Sequence, residues 1–116
     1  ELILCSSAKR CRKTAEHVIA ASGYRGEMRV TGELYGADAG KLRLALAGVP
    51  DEAAVVLLIA HNPGLEELLD SQVGVYTPLT TAALAQLELP IHHWWELNDK
   101  TRARLVQLWQ PRELES

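Results

Sequence analysis

No stretch of this sequence approaches the ~20 consecutive apolar residues that a membrane-spanning helix requires. The longest apolar run, Ala53 to Ala60, is only strand-sized. No segment reads as a signal peptide, a targeting tail or a lipidation motif. Cysteine is scarce as well. Cys5 and Cys11 stand in no metal-ligand spacing, and two cysteines do not staple a domain of this size. Both are expected to be small buried residues of a reducing compartment, which with the missing membrane signals points to the cytoplasm and to no membrane partner. An excess of positive charge is missing too: the formal net charge is -3, which argues against a nucleic-acid partner. Internal repeats and low-complexity segments do not occur. The chain also opens directly on Glu1-Leu2-Ile3-Leu4-Cys5, without an initiator Met or a lead-in to that strand, and so reads as a chain entered mid-fold.

The 116 residues suffice for one compact domain, and an apolar fraction of 47% supplies a core. Leu2 to Cys5 reads as a buried strand. From Ala8 the period changes: Ala8, Cys11, Ala15, Val18, Ile19 and Ser22 share one helical face, which predicts a helix over Ala8 to Ala21. Ser7 is its expected N-cap and Gly23 its stop. A short strand is expected over Glu27 to Val30. A second helix is expected over Ala37 to Ala47, with Leu42, Leu44 and Leu46 making apolar contacts and Gly48-Val49-Pro50 ending it. Ala54 to Ala60 is apolar on both faces, the pattern of a central parallel strand covered by helices. Asn62-Pro63-Gly64 then opens a helix to about Leu69. Ser71 to Pro78 reads as loop, Ala82 to Leu89 and Ala103 to Gln110 as late strands, and His92 and His93 as linker residues beside two core-covering tryptophans, Trp94 and Trp95. The order is α/β.

Chemistry is expected at two strand-to-helix junctions: Ser6-Ser7 with Arg10, and His61-Asn62. Ligands of open α/β sheets bind outside the carboxyl ends of strands, so the two junctions make one site if their strands are neighbours. Arg10 lies in the first turn of its helix, beside Lys9, Arg12 and Lys13. The helix dipole disfavours a cation there by roughly 0.3–1 kcal/mol, and a bound anion reverses that sign. A solvated helix face is the alternative for this cluster. A cysteine-dependent phosphatase is excluded by spacing, because that loop needs five residues between Cys and Arg. Here four separate Cys5 from Arg10 and six separate Cys5 from Arg12.

At these residues the sequence resembles the histidine phosphatase superfamily, the relatives of phosphoglycerate mutase, and within it the small SixA-type phosphohistidine phosphatases. The resemblance rests on Leu4-Cys5-Ser6-Ser7-Ala8-Lys9-Arg10-Cys11-Arg12-Lys13-Thr14-Ala15-Glu16, on Glu33-Leu34-Tyr35, and on Leu58-Ile59-Ala60-His61-Asn62-Pro63-Gly64-Leu65-Glu66-Glu67-Leu68. Thr81 to Ala85 and Pro111 to Leu114 follow in family order. It implies a single domain over residues 1–116, a three-layer sandwich with a mostly parallel central sheet, lacking the N-terminal nucleophile strand and the helix after it. In that family a His of an Arg-His-Gly or Arg-His-Ala motif attacks phosphorus, and water hydrolyses the phosphohistidine intermediate. Arg10 and His61 match the second arginine and second histidine of the phosphate pocket, where they neutralise the oxygens of the phosphoryl group in transit. Asn62 would cap the adjacent helix and hold His61 in place, Ser6 would touch the phosphate, and Glu33 is the candidate acid, set against its reading as a surface residue ahead of a helix.

Three positions depart from the pattern. The nucleophile motif occurs nowhere in the chain, Ala60 stands for a usual Gly, and Ser7 for a frequent Pro. With no evident lid, the resemblance implies a phosphorylated protein as substrate, phosphate or another oxyanion as ligand, and no metal or organic cofactor. The alternatives are a small-molecule phosphomonoesterase of the same superfamily and a catalytically incomplete phosphate-binding or interaction domain. An upstream Arg-His-Gly or Arg-His-Ala separates the enzymes from the binding module.

Overall fold

In the computed structural model, which describes residues 2–75, 77–79 and 84–109, the first strand organises everything else. β1 (Leu2–Ser6) is buried at every position. It pairs in parallel with β2 (Glu27–Thr31) on one side and with β3 (Val56–Ile59) on the other. Strand alternation then sorts its side chains into two cores. Ile3 and Cys5 pack with Ala8, Cys11 and Ala15 of the first helix, α1 (Lys9–Ser22). Leu2 and Leu4 pack on the opposite face with Leu34, Ala37, Leu42 and Leu68. That second core is closed by α2 (Ala39–Ala47) and α3 (Gly64–Val73). Helix, parallel sheet and helix pair make the expected three-layer α/β sandwich. Leu34 and Leu42 are sealed within it, at 1% and 0% exposure. Truncating either to Ala would cost about 2–5 kcal/mol, transfer and cavity terms together.

A second sheet adds two antiparallel strands, β4 (Leu84–Glu88) and β5 (Arg104–Trp109), with a register irregularity at Gln86/Leu87. It is tied to the rest through Gln72 of α3, a buried side chain that bridges several segments. Its amide nitrogen donates to the carbonyls of Asn98 and Thr101, and its amide oxygen accepts from Arg43 of α2. Ala103 N–H donates to its backbone carbonyl at 2.6 Å.

Several expectations need correction. β3 does not occupy the centre of the described sheet; β1 does, in the order β2-β1-β3. Ser7 does not cap α1. The N-cap position is Ala8, without a side-chain cap, and the hydroxyl that reaches its N–H is that of Ser6. Ser7 N–H instead donates to Thr31 O, joining the ends of β1 and β2. Leu44 is 74% exposed, because Leu42 and Leu46 share a face at helical period and a residue midway between them lies opposite. α3 runs on through Ser71 to Val73 and stops at Gly74, whose φ of 88° ends it in the left-handed region. Trp94 covers core and donates its indole N–H to Ala53 O, whereas Trp95 is 68% exposed and stacks on His93. His93 is more than a linker residue, since its Nδ1 lies 2.7 Å from the Asp51 carboxylate. Thr81 to Ala83, Gln110 and Pro111 to Leu114 lie outside the described residues.

Candidate active site

β1 and β3 run parallel with Cys5 opposite Ile59, so their carboxyl ends stop at the same level. Past that level β1 delivers Ser6, and through a two-residue corner the first turn of α1. β3 delivers Ala60 and His61. The chain therefore brings two of the expected residues into contact: Ser6 Oγ and His61 Nε2 are 2.9 Å apart. Ser6 is fully buried and also accepts from Ala8 N–H at 3.2 Å. Arg10 stands exposed in the first turn of α1, next to Cys11, and makes no ion pair among the described residues. α1 has no acidic residue in that turn to offset its cations. The dipole penalty expected for Arg10 is thus uncompensated within the described chain.

Two neighbours of His61 lie in stretches that carry the resemblance but have no site role assigned from the sequence. Cys11 Sγ lies 3.7 Å from His61 Nε2 and 3.5 Å from Ala60 O. Burial pushes the Cys11 thiol above its ordinary pKa, while the neighbouring Ser6 hydroxyl and the charge of Arg10 act in the opposite direction. Tyr35 is the second, its ring tilted over the imidazole at 5.4 Å between centroids. Periodicity marks Cys11 only as a core position, and Tyr35 reaches the site through the turn after β2, which no local pattern reveals. Glu33 is exposed in that same turn. Its N–H is capped by Thr31 Oγ1, and its carboxylate has no hydrogen-bond partner among the described residues.

Asn62 anchors the chain beyond His61. Its Oδ1 accepts from Glu66 N–H, and its Nδ2 donates to Leu79 O at 2.9 Å. Glu66 Oε2 accepts from Leu79 N–H and Asp70 Oδ1 from Thr77 N–H. Asn62, Glu66 and Asp70, four residues apart, thereby hold the 77–79 segment along one side of α3. Gly64 lets the start of α3 lie against Ala37. A Cβ there would fall inside the contact distance of Ala37 O and come within 3.3 Å of Leu42 Cδ1. Among the described residues no group of three or more His, Cys, Asp or Glu gathers at metal-binding distance.

No family model matches the chain. An uncharacterised protein of Mycobacterium leprae (strain TN) is 30% identical over 116 residues, and the chain spans 66% of that relative's length. Three solved structures share the fold. The protein histidine phosphatase SixA complexed with tungstate matches with a TM-score of 0.77 at 24% identity, over 98% of this chain and 70% of that one. A Nakamurella multipartitia protein, provisionally named phosphohistidine phosphatase SixA, matches at 0.75 and 24% identity, over 95% and 70%. One from Agrobacterium tumefaciens with the same provisional name matches at 0.69 and 29% identity, over 96% and 67%. The chain has the SixA-type histidine phosphatase fold.

Proposed function

We propose that this chain carries the phosphate-holding part of a SixA-type phosphohistidine phosphatase, acting on a phosphorylated protein. The observation that carries the reading is the 2.9 Å contact between Ser6 and His61 at the aligned ends of β1 and β3. It puts an imidazole beside the start of a helix whose first turn holds an arginine without an ion pair among the described residues. In this reading Arg10 supplies full positive charge and a forked donor for two phosphoryl oxygens. His61 supplies a third donor from the neighbouring strand end. First-turn N–H groups of α1 would add backbone donors for the same anion. Such a preorganised set stabilises the charge that spreads over the equatorial oxygens in transit. The nucleophile is a His contributed by a segment outside these 116 residues. The solved structure of a SixA with tungstate, an oxyanion of phosphate-like shape, supports an anion at this pocket by analogy of fold.

A protein substrate follows the likeness to structures named as phosphohistidine phosphatases. Tyr35 at the rim is 66% exposed and covers one side of His61 only. Phosphohistidine has a good leaving group once its imidazole is protonated, which asks little of a general acid such as Glu33. The test is turnover of a phosphohistidine protein by the full reading frame, with and without chelator. Metal-independent hydrolysis that is lost in both Arg10→Ala and His61→Ala is expected. Chelator-sensitive turnover, or full activity in both variants, overturns the reading.

A further inference from the structure

The hydroxyl of Ser6 has one proton and two lone pairs to place, and at 0% exposure it can place them only within the protein. One lone pair is taken by Ala8 N–H. The other close partner is His61 Nε2 at 2.9 Å. If Nε2 carried a proton and donated to Ser6, both lone pairs would be spent, and the hydroxyl proton would have to turn to Cys11 Sγ. Sulfur is a weak acceptor, whereas a bare imidazole nitrogen is a good one. The Cys11 thiol has its own outlet at Ala60 O. The arrangement that satisfies every group with its better partner has Ser6 donating to an unprotonated Nε2.

We infer that Ser6 is a positioning residue for His61, its buried hydroxyl fixing the neutral imidazole with the proton on Nδ1 and turning that N–H toward the bound anion. The inference rests on the reading of His61 as a pocket residue. Both hydrogen-bonding contacts of the ring are to Nε2, and among the described residues none reaches Nδ1. The ring edge left over is therefore a donor, on a side chain that is half-buried as a whole. Ser6 then acts on the phosphoryl group through the imidazole and not by touching an oxygen. The device also explains why a serine is sealed at the end of a strand whose other positions are apolar. An alanine there would leave both Ala8 N–H and Nε2 without their partner.

The experiment is long-range proton–nitrogen NMR on histidine-labelled full reading frame, at a pH where the ring is neutral, with the His61 signals identified by their loss in His61→Ala. The expected wild-type pattern has the proton on Nδ1 and a bare Nε2. Ser6→Ala should lose that preference, and Cys11→Ala should keep it. A proton on Nε2 in the wild type overturns the inference, and this measurement decides even if Ser6→Ala does not fold. An unchanged tautomer in a folded Ser6→Ala overturns it equally. Adding inorganic phosphate should shift Nδ1 more than Nε2. If phosphate moves neither nitrogen, the pocket reading of His61 fails, and the anion-facing half of the inference falls with it. The tautomer data still judge the role of Ser6 separately.

Discussion

Replacing Gly64 by Ala sets two physical effects against each other, and the structure decides the sign. Glycine inside a helix is about 1 kcal/mol worse than alanine, so intrinsic propensity alone makes Gly64→Ala stabilising. The added methyl, however, would overlap Ala37 O and press on the Ala37 carbonyl carbon at 3.2 Å and Leu42 Cδ1 at 3.3 Å. Backbone cannot swing aside as a side-chain end can, so the N-terminal turn of α3 must move. Overpacking of this kind costs typically 1–3 kcal/mol, and a backbone obstacle puts it toward the upper end. Subtracting the propensity gain leaves a net loss of roughly 1–2 kcal/mol.

For a chain of this size that loss lowers the melting midpoint by roughly 4 °C per kcal/mol. Gly40→Ala provides the control. Its added Cβ would meet nothing closer than Asp38 Oδ1 at 3.5 Å, and it should be neutral or stabilise by about 0.4–1 kcal/mol. The second consequence is functional, because α3 begins three residues after His61. A displacement of its first turn shifts the imidazole, and misplacement by about 1 Å can cost 10²-fold in rate. Thermal melts and turnover of both variants in the full reading frame are the assay. If Gly64→Ala melts at or above wild type, the close approach to Ala37 is not what keeps that position glycine, and the reasoning fails.

Arg10→Ala should cut turnover by roughly 10²–10³ while leaving the melt unchanged or slightly raised, since a first-turn cation opposes the dipole. A much lower melt with activity retained would make Arg10 scaffold. Burial raises both thiols, Cys5 further through Cys11 and against Arg12, so the native chain should resist iodoacetamide near pH 8 and react once unfolded. Their contribution to stability is held below the unfolded thiol pKa and lost as pH rises through the folded one. Fast alkylation of the native protein would contradict this. The Glu96 carboxylate is held below its ordinary pKa by the backbone N–H groups of His93 and His92. Its stabilising effect is present above the unfolded carboxylate value and fades as pH falls through the folded one, which an NMR titration of Glu96 can read. An unshifted midpoint, or one unaffected by unfolding, counts against the cap.

The layers were legible because periodicity changes where burial changes. α1 shows its buried face at Cys11 and Ala15, and β4 shows its alternation at Ala85 and Leu87 against Gln86 and Glu88. The facts that escaped depend on neighbours distant in sequence. Two adjacent serines look alike as caps, and only the packing of His61 assigns the work to Ser6 rather than Ser7. Gly74 was a visible stop for α3, yet the polar Ser71 and Gln72 concealed the last turn. Gln72 is buried as a bridge, which polarity alone argues against. At the candidate site, Ser6, Arg10 and His61 were marked by their junctions. Cys11 and Tyr35 were not, since their part comes only from three-dimensional proximity to the imidazole.

β1 has no side left for water: one face belongs to each core and both edges are hydrogen-bonded. A strand so placed is the last to open, because exposing any of its amides means dismantling two cores at once. Its backbone protons should therefore exchange with solvent only through global unfolding, while those of exposed β2 residues and the 77–79 segment exchange through smaller local openings. Ser6 sits on the end of that slowest unit. The hydroxyl against which His61 rests is thus carried by the part of the described fold that opens last.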